Sequence, residues 1–145
     1  LKNFSNIKGR LNIKQGIKNA TLIDDTYNAN PDSMKAAIDV LAAMPAPRIF
    51  VMGDMGELGE DEAAAMHAEV GAYARDKGIE AAYFVGDNSV EAAETFGAEG
   101  LWFADKDPLI QVLSHDLPER ATVLVKGSRF MKMEEVVEAL AATTA

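Results

Sequence analysis

Short apolar runs alternate with longer amphipathic ones along the whole chain, and the two periods predict a strand–helix rhythm. Residues 20–24 read as a first strand that ends in acids. Asp32 and Ser33 then open a helix whose apolar stripe is Met34, Ala37, Ile38, Leu41 and Ala42, and Met44-Pro45-Ala46-Pro47 breaks it. The strand at 48–52 leads to a helix over 60–77, closed by Gly78. Strands at 81–85, 101–103 and 122–125 alternate with helices at 89–96, 108–115 and 133–142. Ile49-Phe50-Val51-Met52 and Val123-Leu124-Val125 are apolar without interruption, the pattern of strands covered on both faces.

Strand–helix units in series require a parallel sheet joined by right-handed crossovers. The expected fold class is α/β: a Rossmann-like three-layer domain with helices on both faces of a mostly parallel sheet. That sheet has about six strands, and segment 10–17 adds one antiparallel edge strand. Trp102 and Phe103 are expected in the core, and the methionines at 34, 44 and 66 as packing fillers. His67 reads as a partly buried structural histidine, His115 as a surface residue, and Ala139–Ala145 as a fraying helix end.

Composition narrows the function classes. A chain of 145 residues is one domain's worth of polypeptide. A net charge of −9 with no basic patch argues against a nucleic-acid partner. The absence of cysteine removes disulfides, thiolate metal sites and a thiol nucleophile. No apolar run is long enough to cross a bilayer, so no membrane role is expected. The chain opens at Leu1 with a polar stretch, which suggests a piece of a longer protein cut at a linker.

Open parallel sheets bind ligands beyond the carboxyl ends of their strands. Those ends carry Asp24-Asp25-Thr26-Tyr27-Asn28, the glycine-rich loop from Gly53 to Gly59, Gly86-Asp87-Asn88-Ser89, and Lys126-Gly127-Ser128-Arg129. Taken singly, tandem acids can cap a helix and a glycine loop can be a tight connection. Lys126, Ser128 and Arg129 together suit a carboxylate or phosphate, which an arginine can hold in bidentate fashion. No phosphate-loop spacing, dinucleotide fingerprint, nucleophile elbow or zinc-ligand pattern occurs, so no metal ligands are expected in this chain.

Several strings in order resemble the C-terminal domain of the Mur ligases. They are Gly9-Arg10, Ile23 to Met34 (IDDTYNANPDSM), Val51 to Gly59 (VMGDMGELG), His67 and Gly71, and Leu124 to Arg129 (LVKGSR) with Met133-Glu134. Within the family these strings are those of the branch that adds D-alanyl-D-alanine to UDP-N-acetylmuramoyl-tripeptide in peptidoglycan precursor synthesis. The resemblance implies a cytoplasmic bacterial enzyme with ATP and Mg2+ as cofactors, in which an acyl phosphate is attacked by an amine. It also implies partner N-terminal and central domains, with the magnesium ligands in the central one. Residues 1–19 would be linker and edge strand, residues 20–145 the domain, and no complete catalytic set would lie in it.

On the same resemblance, Arg10 would reach ATP phosphates and Asp24 or Asp25 the ribose hydroxyls. Tyr27, Asn28 and Asn30 would line the nucleotide side. Gly53, Asp54, Glu57, Lys126, Ser128 and Arg129 are candidates for holding the dipeptide. Two other readings are a folylpolyglutamate synthetase-like sibling and a free-standing flavodoxin- or receiver-like binding module.

Overall fold

The computed structural model describes residues 11–142. The expectation for Arg10 lies outside them, as do residues 143–145 of the alanine-rich tail. Six strands form one sheet in the order β1-β2-β6-β3-β4-β5. The strands are β1 (Ile13–Gln15), β2 (Thr21–Asp25), β3 (Arg48–Gly53), β4 (Ala81–Val85), β5 (Gly100–Phe103) and β6 (Thr122–Lys126). All neighbouring pairs are parallel except β1 with β2, which run antiparallel. The helices are α1 (Pro31–Ala42), α2 (Glu60–Asp76), α3 (Ser89–Phe96), α4 (Lys106–Asp116) and α5 (Glu134–Leu140).

Strand order assigns the helices to faces. From β2 through β5 the chain moves across the sheet in one direction, so crossovers of one hand put α1, α2 and α3 on the same side. Their residues Ile38, Val70 and Phe96 share one core cluster with Phe50 and Phe84. The return from β5 to β6 then places α4 on the opposite side, where Leu109, Leu113, Val137 and Leu140 pack against Val51 and Val125. β6 therefore lies between two strands whose following helices cover the other face, and the loops after β2 and β6 part in opposite directions. This is the crevice that doubly wound sheets use for ligands.

Local chemistry explains the boundaries. Helix α1 starts at Pro31, ahead of the expected Asp32, because Asn30 is its N-cap: Asn30 Oδ1 accepts from Ser33 N–H at 2.8 Å, and Ser33 Oγ accepts from Asn30 N–H at 3.0 Å. Helix α5 ends at Leu140 instead of fraying onward. Ala141 bridges Gly16, and Ala142 N–H donates to Gln15 at 2.9 Å, so the chain turns extended to meet the end of β1.

Trp102 corrects the expected core list. It sits on the edge strand β5 at 39% exposure, with its indole N–H donating to Gly86 O at 2.7 Å. An edge strand has one flank uncovered, and an indole can lie there with its donor satisfied. Phe103 is half-buried and stacks on Tyr83. His67 is fully buried, more than expected, whereas His115 is exposed.

Candidate functional site

The tandem acids separate because successive residues of a strand face opposite sides. Leu22 and Asp24 point to the face of β1 Lys14, whose ammonium lies 2.9 Å from Asp24 Oδ2; Asp24 Oδ1 accepts from the Thr26 hydroxyl at 2.7 Å. Ile23 and Asp25 point the other way, into a cavity of about 690 Å³ beside α1. Its polar lining includes Asp25, Asn28, Asn30 and Lys126, and its apolar wall includes Leu11 and Val40.

β6 supplies the partner. Asp25 is opposite Lys126 in the β2–β6 register, and the lysine side chain, 2% exposed, lies on the same face. Its ammonium is 3.0 Å from Asp25 Oδ2 and donates to the Asn28 carbonyl at 2.9 Å. Lys126 therefore braces the β2–α1 loop from beneath. Asp39 lies farther along α1 on the same cavity, where the Tyr73 hydroxyl and then Lys77 hold its carboxyl below the usual range.

A second hollow of about 420 Å³ opens on the other side of the β2–α1 loop, lined by Asn28, Gly56, Glu57, Ser128, Arg129 and Phe130. Ser128 is buried; its hydroxyl accepts from Gly56 N–H at 2.5 Å, and its own N–H donates to Asp54 O at 3.0 Å. Arg129 is exposed and lies over the Tyr27 ring, 5.3 Å from its centroid. Tyr27 is 69% exposed and, with Thr26, Arg129 and Phe130, lines a third hollow of about 360 Å³.

The glycine loop is held from below. Asp54 is buried, and its carboxylate accepts from Asn88 N–H at 3.1 Å, Ser89 N–H at 2.8 Å and Ser89 Oγ–H at 2.7 Å. Only glycine fits at position 86: its φ is +115°, and a Cβ there would lie 2.4 Å from Asp54 Oδ1. Gly53 is the buried last residue of β3.

The residues picked from sequence thus divide. Asp25, Asn28, Asn30 and Lys126 meet at the first cavity, and Glu57, Ser128 and Arg129 at the second. Asp24, Tyr27, Gly53 and Asp54 line neither. Phe130 was missed, and its signal was available: an aromatic follows the Lys-Gly-Ser-Arg string, and it stands 63% exposed on a single 3-10 turn. Among the described residues no group of three or more His, Cys, Asp or Glu could hold a metal ion. None of their buried side-chain polar atoms lacks a hydrogen-bond partner.

Residues 9–129 match the family model described as Mur ligase, glutamate ligase domain. The UDP-N-acetylmuramoyl-tripeptide–D-alanyl-D-alanine ligase of Escherichia coli K12 is 47% identical over 142 residues, covering 97% of this chain. This chain spans only 31% of that relative's length. A crystal structure of MurF from Acinetobacter baumannii aligns with a TM-score of 0.78 at 34% identity, over 90% of this chain and 29% of that one. The MurF ligase of Thermotoga maritima, solved in complex with ADP, aligns with a TM-score of 0.78 at 26% identity, over 90% and 30% of the two chains.

Proposed function

The chain belongs to the Mur ligase family, and on that premise we propose that it is the C-terminal domain of an ATP-dependent ligase joining D-alanyl-D-alanine to UDP-N-acetylmuramoyl-tripeptide. Residues 1–19 would serve as linker and edge strand, and residues 20–145 as the domain that closes over a central and an N-terminal domain. The setting is the bacterial cytoplasm, where peptidoglycan precursors are made; among the described residues no helix is long and apolar enough to cross a membrane.

The observation that carries this reading is the Asp25–Lys126 pair on the wall of the 690 Å³ cavity. Lys126 neutralises one carboxylate oxygen of Asp25 and fixes the side chain, leaving the residue 31% exposed toward the cavity. A carboxylate so placed can accept from ribose hydroxyls, with Asn28 beside it and Leu11 and Val40 as an apolar wall for the base. The set fits a nucleoside. It offers no free cation for phosphates, since Lys126 is already engaged, and that role falls to Arg10 and to the other domains.

When bound, ATP supplies the phosphoryl group that turns the tripeptide carboxylate into an acyl phosphate open to amine attack. The second hollow is the seat for the dipeptide. Arg129 presents a guanidinium that can hold its carboxylate in bidentate fashion, Phe130 walls one side, and Glu57 flanks the opening. Lys126 lies beneath the loop and Asp54 under the glycine loop, and both support this surface without touching the dipeptide. Domain closure would bring the two hollows onto the reacting groups and exclude water. The magnesium ligands are assigned to the central domain; among the described residues of this chain no group of three or more His, Cys, Asp or Glu gathers.

The D-alanyl-D-alanine ligase named for the Escherichia coli relative supports this acceptor over glutamate, the substrate of a folylpolyglutamate-type sibling. The test is phosphate release by the full-length enzyme given UDP-N-acetylmuramoyl-tripeptide, ATP and either D-alanyl-D-alanine or glutamate. Turnover that depends on the dipeptide is expected. Turnover with glutamate alone would overturn the reading.

A further inference from the structure

His67 is fully buried on α2, away from both hollows, yet it touches the loop that borders the second. Its Nε2 accepts from Met55 N–H at 2.9 Å, so that nitrogen is unprotonated; Nδ1 carries the hydrogen and donates to Ala63 O at 2.7 Å. The next residues are anchored in turn. Gly56 N–H donates to Ser128 Oγ, and Ser128 N–H donates back to Asp54 O. Three hydrogen bonds on adjacent residues 54–56 therefore tie the imidazole, through that short backbone, to Ser128, beside Arg129 and Phe130. No residue of this set lines the first cavity, which is built on β2, β6 and α1, although Ser128 Oγ also donates to Ala29 O at 3.5 Å in the β2–α1 loop.

We infer that His67 is a positioning residue for the acceptor hollow, setting the height of residues 54–56 against Ser128 and so the width of the space beside Arg129. This inference rests on the proposed ligase function. Met55 is 2% exposed, and a buried N–H left without an acceptor is costly enough to displace its loop. Loss of the Nε2 acceptor should loosen the dipeptide seat and spare the nucleotide side.

Two substitutions separate this role from simple packing, because they preserve different halves of the ring. His67→Gln places an amide oxygen near the Nε2 position and keeps an acceptor for Met55; His67→Asn reaches only the Nδ1 position and keeps the bond to Ala63. In the full-length enzyme, His67→Asn should raise KM for D-alanyl-D-alanine about tenfold and leave KM for ATP within about twofold. His67→Gln should stay within about threefold of wild type for both. Hydrogen exchange read by mass spectrometry on the peptide spanning residues 54–58 should quicken about tenfold in the Asn variant and little in the Gln variant.

Equal behaviour of the two variants, or parallel rises in both KM values, overturns the inference. So does faster exchange with an unchanged dipeptide KM, which would make His67 a packing residue only. Failure of the wild-type enzyme to use the dipeptide sinks the functional reading instead, and the exchange arm still decides whether His67 holds the loop. Nitrogen-15 shifts of the wild-type ring give a check that needs no variant: a protonated Nε2 at neutral pH contradicts the bond from Met55.

Discussion

The Lys126 ammonium lies 3.0 Å from the Asp25 carboxylate, on neighbouring parallel strands at paired register, and the lysine is buried while the acid reaches the cavity. The pair converts a lysine that sequence alone offers as a ligand contact into a strut. Lys126→Met should leave Asp25 without its counter-ion and Asn28 O without its donor. Breaking a fully buried pair costs roughly 3–5 kcal/mol; with Asp25 partly solvated, a loss of about 2 kcal/mol is expected in chemical denaturation. The double variant Asp25→Asn/Lys126→Met should recover part of that loss.

Asp25→Asn should raise KM for ATP in the full-length enzyme about tenfold, through loss of a charged acceptor. Asp24→Asn should change it less than about threefold, because Asp24 faces Lys14 on the other side of the sheet. Steady-state kinetics on both variants decides the matter, and a larger effect at Asp24 would contradict the assignment.

Gly71 of α2 lies directly against the backbone of α3. A Cβ at this position would lie 2.1 Å from the Ala92 carbonyl oxygen of α3, which is backbone and cannot turn aside. Gly71→Ala should force α2 and α3 apart and lower stability by about 2–3 kcal/mol, read from the urea midpoint.

Arg48 and Glu80 form a multidentate pair: Glu80 Oε1 accepts from Arg48 N–H and Nε–H, and Oε2 lies 3.1 Å from Nη2. The hydrogen bonds from Arg48 hold the Glu80 carboxyl below its ordinary value of 4.5. A depressed carboxyl contributes stability that is fully present above the ordinary value and lost as pH falls through the lower, folded one. Glu80 remains 42% exposed, so screening limits the contribution to about 0.5 kcal/mol. Urea midpoints of wild type and Glu80→Gln should differ at pH 7 and converge as pH falls below the folded value of the Glu80 carboxyl.

The chain by itself should show no ATP-dependent ligation. It spans 31% of the Escherichia coli relative, and the cation among the described residues lining the first cavity, Lys126, is already paired with Asp25. Coupled phosphate release is the assay, and turnover by the isolated chain would refute the division of labour proposed above.

Most of the fold was legible in the sequence because its signals are local. Period 3.6 in Met34, Ile38 and Leu41 and unbroken apolar runs such as Val123-Leu124-Val125 mark helices and double-covered strands without reference to anything distant. The Asp32-Ser33 start signal was equally local, although the helix begins one residue ahead, at Pro31, on the Asn30 cap. Trp102 was misplaced because an apolar strand reads the same at an edge as at the centre, and only strand order distinguishes them.

The site followed the same division. Sequence alone determined which polar loops stand at the carboxyl edge, because strand direction follows from the strand–helix rhythm. Tertiary structure decided what each side chain does there. The alternation of β2 against β1 and β6 sends Asp24 to Lys14 and Asp25 to Lys126, and the β2–α1 loop places Tyr27 beside Arg129, away from the cavity. A side chain's role depends on partners distant in sequence, such as residues 25 and 126, and their distance is set by packing that no local pattern records.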